Sequence, residues 1–410
     1  MTRALAGKAP PAALGIALSG GGDSVALAAL LASWAEGRGV RLWAATVDHR
    51  LRPGSGAEAR EAGRIAARLG IDHDILVWDH DGVAGNLQDA ARRARYGLLA
   101  EWAKTRGLGA VALGHTADDQ AETVLMRLAR GAGVDGLSGM DWRRTRAGVV
   151  WLRPMLGIGR AALRAWLRAH GLGWIEDPSN EDPVFERVRA RRALAGLSDI
   201  GLTAMGLART ADRLRDAREA LSVTARRAAS RWGRLDATGA LVLGGGLFRD
   251  EPREIARRIV ATALSWLASA EYPPRHGPVG ELLDRRDVTV LGCQGKWRRG
   301  ALWLFREVEA LESVHARPGE VWDGRWRLVP GTEAEASGCM VGPLGHKGLL
   351  ALRRIPAARV PRLPAAVLAA TPAVFCGGRL VAAPLAGWPN GWQAVADRGF
   401  DDFLAALVSH

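Results

Sequence analysis

Four segments of the chain carry residue types whose chemistry depends on being held together. The first is Ser19-Gly20-Gly21-Gly22-Asp23-Ser24, which leads straight into an apolar stretch from Val25. Glycines at this density let the backbone turn tightly and aim several N–H groups at one anion, and a helix starting just beyond adds a favourable dipole. Neither GxxxxGK(S/T) nor GxGxxG occurs in this turn, which excludes a Walker loop and a dinucleotide fingerprint. Asp23 would repel a phosphate in the same cradle unless a cation lay between them, so the loop suits a polyphosphate carrying Mg²⁺. An ordinary glycine turn capped by Asp23 or Ser24 accounts for the same residues without a ligand.

The second segment, Val47-Asp48-His49-Arg50-Leu51-Arg52, is by itself most simply a hydrogen-bonded turn. The third, opening at Asn86-Leu87-Gln88, puts Gln88, Arg92, Arg95 and Tyr96 on one helical face and Leu87, Ala91, Ala94, Leu98 and Trp102 on the buried one. The fourth is Gly114-His115-Thr116-Ala117-Asp118-Asp119-Gln120-Ala121-Glu122-Thr123. Thr116 caps a helix there, and acids in its first turns suit the dipole. Asp118 and Glu122 are nevertheless i,i+4 neighbours and Asp119 and Glu122 i,i+3 neighbours, like-charge pairs that cost a helix stability. Three carboxylates in one place call for a cation, either a metal or an amine substrate. Arg127, Arg130 and Gly131-Ala132-Gly133 follow and are expected to close the pocket rim.

These segments need a scaffold that brings them together. Short apolar runs at 15–18, 42–47, 75–78, 110–114 and 149–152 alternate with helical periodicity at 25–36, 57–69, 87–105 and 117–129. That alternation predicts an α/β fold, a doubly wound parallel sheet covered on both faces, whose ligands bind at the carboxyl ends of the strands. Each chemical segment begins where a run or its connection ends. Beyond Trp174, EDPSNEDP is turn-rich, and residues 187–234 are helical and basic, with 12 arginines against Asp199, Asp212, Asp216 and Glu219. Further helical sequence runs to 291, and 292–410, rich in Gly, Pro and Trp, reads as a small β-containing domain. The expected division is 1–200, 201–291 and 292–410.

Of 56 cationic residues in the 410-residue chain only four are lysines, and the net charge is +13. Arginine's planar fork matches phosphate oxygens in pairs, so RNA is a partner this surface could take. Cys293, Cys339 and Cys376 form no CxxC pair and leave the first 292 residues without a cysteine, which argues against a disulfide scaffold, a zinc ribbon and an iron-sulfur cluster. No segment is long and apolar enough to span a bilayer, and a cytoplasmic location is expected.

SGGGDS after a first strand resembles the pyrophosphate loop of the N-type ATP pyrophosphatases, a loop shared by several ligases and tRNA thiolases. VDHRLR, NLQDAARRARY, GHTADDQAETVLMRLARGAGVDGLSGM, LRPML and WIEDPSN, in that order over roughly 19–191, resemble the tRNA(Ile)-lysidine synthetases. The resemblance implies an adenine nucleotide α-hydrolase-like domain and an AMP-forming ligase that joins free L-lysine to carbon 2 of the wobble cytidine of the CAU-anticodon tRNA(Ile), so that AUA is read instead of AUG. It implies ATP as substrate, with Mg²⁺. Ser19, Gly20, Gly21, Gly22, Asp23, Ser24 and His49 would bind ATP, and Asp119 and Glu122 would bind lysine. Asp23 and Asp118 would approach the metal, with Asp23, Arg92, Arg187 and Arg191 serving catalysis. Where the family carries Arg-Asn-x-x-Arg, this chain reads Arg187-Val188-Arg189-Ala190-Arg191 and lacks the asparagine. Arg209, Arg213, Arg226 and Arg227 are the candidate tRNA contacts. No membrane and no protein partner beyond a homodimer are implied. The rival readings are another ligase or tRNA-modifying enzyme with the same loop and a tRNA-binding protein without activity.

Overall fold

The computed structural model describes all residues except 6, 8, 52–53, 80–86, 177–181, 183, 271, 333–335 and 410, and the side chains at 2 and 87–89. Asn86, Arg52 and the DPSN turn of the motifs above therefore lie outside the described residues. The chain divides into two compact units, Met1–Arg218 and Glu219–His410.

The first unit contains α1 (Thr2–Leu5), β1 (Ala13–Ala17), α2 (Gly22–Ala35), β2 (Arg41–Asp48), α3 (Ser55–Arg68), β3 (Asp72–Val77), α4 (Leu87–Thr105), β4 (Ala110–Ala112), α5 (Ala117–Leu128), α6 (Val134–Leu137), β5 (Arg143–Arg146), β6 (Val149–Leu152), α7 (Arg160–Ala169) and α8 (Glu186–Gly196). A long helix, α9 (Ala204–Trp232), contains the division. The sheet runs β3-β2-β1-β4-β6-β5, parallel throughout except for the antiparallel edge strand β5.

Alternation along β1 explains how both faces are covered. Leu14 and Ile16 point to a core shared with α2, α3 and α7, where Val25, Ile65 and Leu163 are buried. Ala13 and Ala17 point the other way, toward Tyr96, Leu99 and Trp102 of α4. Each fully buried Leu or Ile in such a core adds about 1.5–3 kcal/mol. Gly15 sits on the α4 face because a Cβ there would come within 2.8 Å of the Trp102 ring. The stripe that α4 buries is thus Tyr96, Leu99, Ala100, Trp102 and Ala103; Ala91, Ala94 and Leu98 are only half-buried, and Tyr96 lies inside rather than on a ligand face.

Strand order sets where the site falls. After β3 the chain returns to the opposite side of β1 and lays down β4, so the connections leaving β1 and β4 diverge at their carboxyl ends. In a doubly wound sheet that crevice is the ligand site. It is flanked by residues 19–24 and 114–122, the two segments richest in chemistry.

The second unit has a five-stranded antiparallel sheet in the order β7 (Gly233–Leu235), β8 (Leu241–Gly244), β11 (Ala301–Arg306), β10 (Cys293–Arg298), β9 (Val288–Val290). It packs on α10 (Leu247–Asp250), α11 (Arg253–Ala268), α12 (His276–Leu283) and the terminal helix Phe400–Ala406. This sheet crosses the boundary expected at 291, and strands of three or four residues such as Gly233–Leu235 are too short to show period-2 alternation in the sequence. Two three-stranded sheets complete the unit. In one of them Cys339 and Cys376, 37 residues apart, are cross-strand partners joined by a disulfide. One such bond is not a disulfide scaffold, but the pairing comes from strand register, which cysteine spacing does not reveal.

Candidate active site

The glycine loop is held in shape by its own serines and by Trp174 and Ile175. Ser24 Oγ donates to the Gly21 carbonyl at 2.8 Å and accepts from the Ser19 backbone N–H at 3.1 Å. Gly21 is the N-cap of α2 and has no side-chain cap, so neither Asp23 nor Ser24 caps the helix. Gly20 has φ +83°, and a Cβ there would lie 2.5 Å from Ile175 Cδ1. Ile175 N–H donates to the Gly20 carbonyl at 2.9 Å, and the Trp174 ring lies 3.4 Å from where a Cβ on Gly22 would be. Trp174 and Ile175 therefore buttress the loop from outside, a role their distance in sequence concealed.

Opposite the loop, α5 begins with a capping box: Thr116 N–H and Oγ1 both donate to Asp119 Oδ2 at 2.8 Å. The three acids then take different directions. Asp118 Oδ2 accepts from the Arg160 backbone N–H at 2.7 Å, at the start of α7, and Asp118 does not line the cavity. Asp119 and Glu122 do line it, together with Asp23.

The cation demanded by these carboxylates is supplied first by the protein. Arg160 Nε bonds Asp23 Oδ2 at 2.9 Å, its Nη2 bonds Asp119 Oδ1 at 3.0 Å, and its Nη1 lies 3.5 Å from Glu122 Oε1. Arg191 Nε bonds the same Glu122 oxygen at 2.8 Å. Two buried carboxylate oxygens, Asp23 Oδ1 and Glu122 Oε2, have no hydrogen-bond partner in the described structure. Buried acceptors of this kind cost free energy until a ligand meets them.

Charge states follow from these contacts. Burial raises the Asp23 pKa, and Arg160 offsets only part of that rise. Burial also opposes ionisation of Asp119, but His115, Arg160 and the Thr116 donors outweigh it and hold its pKa below the ordinary value. The carboxylates in turn raise the Arg160 pKa against the effect of its own burial. His115 is pushed down to about 3, chiefly by burial, with Asp119 opposing and Arg153, Arg95 and Arg187 reinforcing, so its imidazole is neutral. His49, also lowered by burial and by Arg95, lies edge-on to Trp78 and lines the cavity, whereas Asp48 turns back to accept from Arg50 N–H at 3.0 Å.

The cavity, about 1020 Å³, is also lined by Ser19, Arg92, Arg95 and Arg187. That volume is at the upper end of the range for small-molecule sites. Its walls divide into an acidic side, Asp23, Asp119 and Glu122, and a basic side, Arg92, Arg95 and Arg187. Arg127 and Arg130, expected at the rim, are absent from the lining: Arg127 donates to the Gly136 and Gly139 carbonyls, and Arg130 pairs with Glu186. On α9, Arg209, Arg213, Arg226 and Arg227 are exposed, whereas Arg215 pairs with Asp212 and Arg218 with Asp141.

A PP-loop domain family model matches residues 2–197, so the first unit is a PP-loop domain. The chain is 47% identical to the tRNA(Ile)-lysidine synthase of Ruegeria pomeroyi over 98% of its own length and 95% of that protein. It is 40% identical to the tRNA(Ile)-lysidine synthase of Hyphomonas neptunium, over 73% of this chain and 82% of that one. With the same enzyme of a Bradyrhizobium species the identity is 40%, over 70% and 84%. The chain belongs to the tRNA(Ile)-lysidine synthase family.

Proposed function

We propose that the protein ligates free L-lysine to carbon 2 of the wobble cytidine in the CAU-anticodon tRNA(Ile), consuming ATP and releasing AMP and pyrophosphate. The observation that carries this reading is the opposition, across one cavity, of a glycine anion cradle and a buried carboxylate, Glu122, with an unpartnered oxygen. A polyphosphate and an amine can be held there at once.

In the first step the cytidine O2 attacks the α-phosphorus of ATP and pyrophosphate leaves. The backbone of Ser19 to Ser24 holds the departing phosphates, His49 and Arg92 flank the adenylate, and Arg187, on the basic wall, offsets charge developing at the α-phosphate. Stabilisation of that kind comes from preorganised donors and costs no reorganisation during the reaction. In the second step the lysine ε-amine attacks carbon 2, AMP leaves, and the amine's surplus proton is released. Glu122, with Asp119 beside it, receives an ammonium group of lysine and orients the chain. The nucleophile belongs to the substrate, so the enzyme needs no covalent one. Asp23, whose Oδ1 is buried without a partner, fits a Mg²⁺ ion, which would screen the phosphates from the carboxylates. Asp118 is occupied by Arg160 N–H, which leaves Asp23 as the metal-facing acid.

The exposed arginines Arg209, Arg213, Arg226 and Arg227 contact the tRNA backbone, and the enzyme works in the cytoplasm with its tRNA. The test is AMP release from Mg·ATP by the purified protein, with lysine and the tRNA omitted in turn. Release that requires both supports the reading. Release without RNA, or with another amine replacing lysine equally well, overturns it.

A further inference from the structure

On α7, Arg160, Arg164 and Arg168 follow one another at four-residue spacing and so share one face. Their surroundings differ. Arg160 is committed to Asp23, Asp119 and Glu122. Arg168 lies over the Trp174 ring, 5.6 Å from its centroid, and does not line the cavity. Arg164 lies over the same ring at 5.9 Å and does line the cavity. Among the described residues its guanidinium makes no hydrogen bond, its single ion pair, Nη2 to Glu176 Oε2, is 3.8 Å long, and its Nε is buried without a partner. Glu176 is 67% exposed, and its other carboxylate oxygen accepts from Trp174 Nε1 at 2.7 Å. A pair that long and that exposed contributes little.

Trp174 places this guanidinium beside the glycine loop, because the same ring lies 3.4 Å from where a Cβ on Gly22 would be. Asp23, whose pKa burial raises, feels the Arg164 charge as well as that of Arg160. The loop itself, Ser19 to Ser24, contains no cationic side chain and includes that one acid. Its backbone N–H groups carry only partial charges, so a full positive charge for the phosphates must come from a neighbouring element. Arg160 already serves three carboxylates; Arg164, one turn further along α7, has donors left for an anion.

We propose that Arg164 is a substrate-binding residue for the pyrophosphate half of ATP, meeting the β- and γ-phosphates in the glycine loop and stabilising them as they leave. This inference rests on the reading of that loop as the phosphate cradle made above. As the cytidine O2 bonds to the α-phosphorus, the bond from that phosphorus to the bridging oxygen breaks, and its electron pair stays with the β-phosphate. The leaving group therefore gains charge as it departs, and a charged donor already in place gains with it.

The test is calorimetric titration of pyrophosphate with Mg²⁺, and separately of AMP, into the full-length protein and its Arg164→Met and Arg164→Lys variants, as KCl is raised from about 0.05 to about 0.5 M. Arg164→Met is expected to bind pyrophosphate about tenfold more weakly at the lower salt, the effect of losing one hydrogen-bonded charge. Its AMP affinity stays as in the wild type, the pyrophosphate difference narrows as salt rises, and Arg164→Lys recovers part of the loss. Unchanged pyrophosphate affinity in Arg164→Met overturns the contact. So does a loss shared equally by AMP, or one that salt leaves unaltered, since either marks a residue that only braces Trp174. Should Arg164→Met not fold, Arg164→Gln, which keeps a flat polar group on the Trp174 ring, gives the same readings. If the wild-type protein binds no pyrophosphate with Mg²⁺, the cradle itself falls and Arg164 with it. If the Arg164 result alone fails, AMP release that still depends on lysine and tRNA leaves the assigned reaction standing.

Discussion

Glu122→Gln keeps the shape of the side chain and one carbonyl oxygen but removes its charge. Stability should change little, by about 1 kcal/mol, because neither guanidinium is stranded. Arg160 retains Asp23 and Asp119 at 2.9 and 3.0 Å, and Arg191 is already 41% exposed to water. Substrate binding should suffer more. A hydrogen bond to a charged group contributes about 1.5–3 kcal/mol and its neutral counterpart about 0.5–1.5, a loss of about 1–1.5 kcal/mol that at 1.4 kcal/mol per factor of ten is a rise of about five- to tenfold in the lysine KM. The assay is AMP release at saturating Mg·ATP and tRNA over a range of lysine concentrations, beside a thermal melt of the same preparation. A lysine KM within twofold of wild type, with the melt unchanged, would refute the placement of lysine at Glu122.

Other consequences are separable by assay. Gly20→Ala places a Cβ at φ +83° and 2.5 Å from Ile175; the left-handed conformation alone costs about 1–2 kcal/mol, and nucleotide affinity measured by titration should fall about tenfold while tRNA binding is retained. Replacing Arg226 and Arg227 with glutamate should weaken tRNA binding and flatten its salt dependence by about one unit of log–log slope for each phosphate these arginines neutralise, with the ATP affinity unchanged; an unchanged slope removes these residues from the RNA surface. Asp74 accepts from Trp102 Nε1 at 2.8 Å and pairs with Arg106 at 2.7 Å. Although burial pushes upward, these donors hold its pKa below the ordinary 3.8. The stability it adds is therefore complete above about pH 4 and is lost as pH falls through the lower native value. Asp74→Asn should lower the melting temperature at pH 7 and lose that difference in strong acid.

Much of the first unit was legible because buried parallel strands announce themselves as short apolar runs, and five of its six strands coincide with such runs. The exception, Arg143–Arg146, is an edge strand reading RRTR, whose pairing with β6 satisfies backbone groups without an apolar side chain to mark it. The site was legible in its anion loop and in its need for a cation. That Arg160 and Arg191 meet that need was not, because both come from helices more than 30 residues beyond the acids they pair with. Asp118 and Asp119 are adjacent in sequence, but only the second enters the cavity: the pitch of α5 sends the first toward the start of α7. Nor does the run of arginines along α9 separate Arg209 and Arg213, which are exposed, from Arg215 and Arg218, which tie the helix to the Ser138 and Met140 carbonyls and to Asp141.

The central claim is that one cavity joins lysine to a cytidine through an adenylated intermediate. Its most direct test is nucleoside mass spectrometry of CAU-anticodon tRNA(Ile) after incubation with the protein, Mg·ATP and isotopically labelled lysine. The account predicts labelled lysine at the wobble cytidine, with one AMP released per lysine incorporated. AMP release that leaves this cytidine unmodified, or label attached at any other nucleotide, would contradict it.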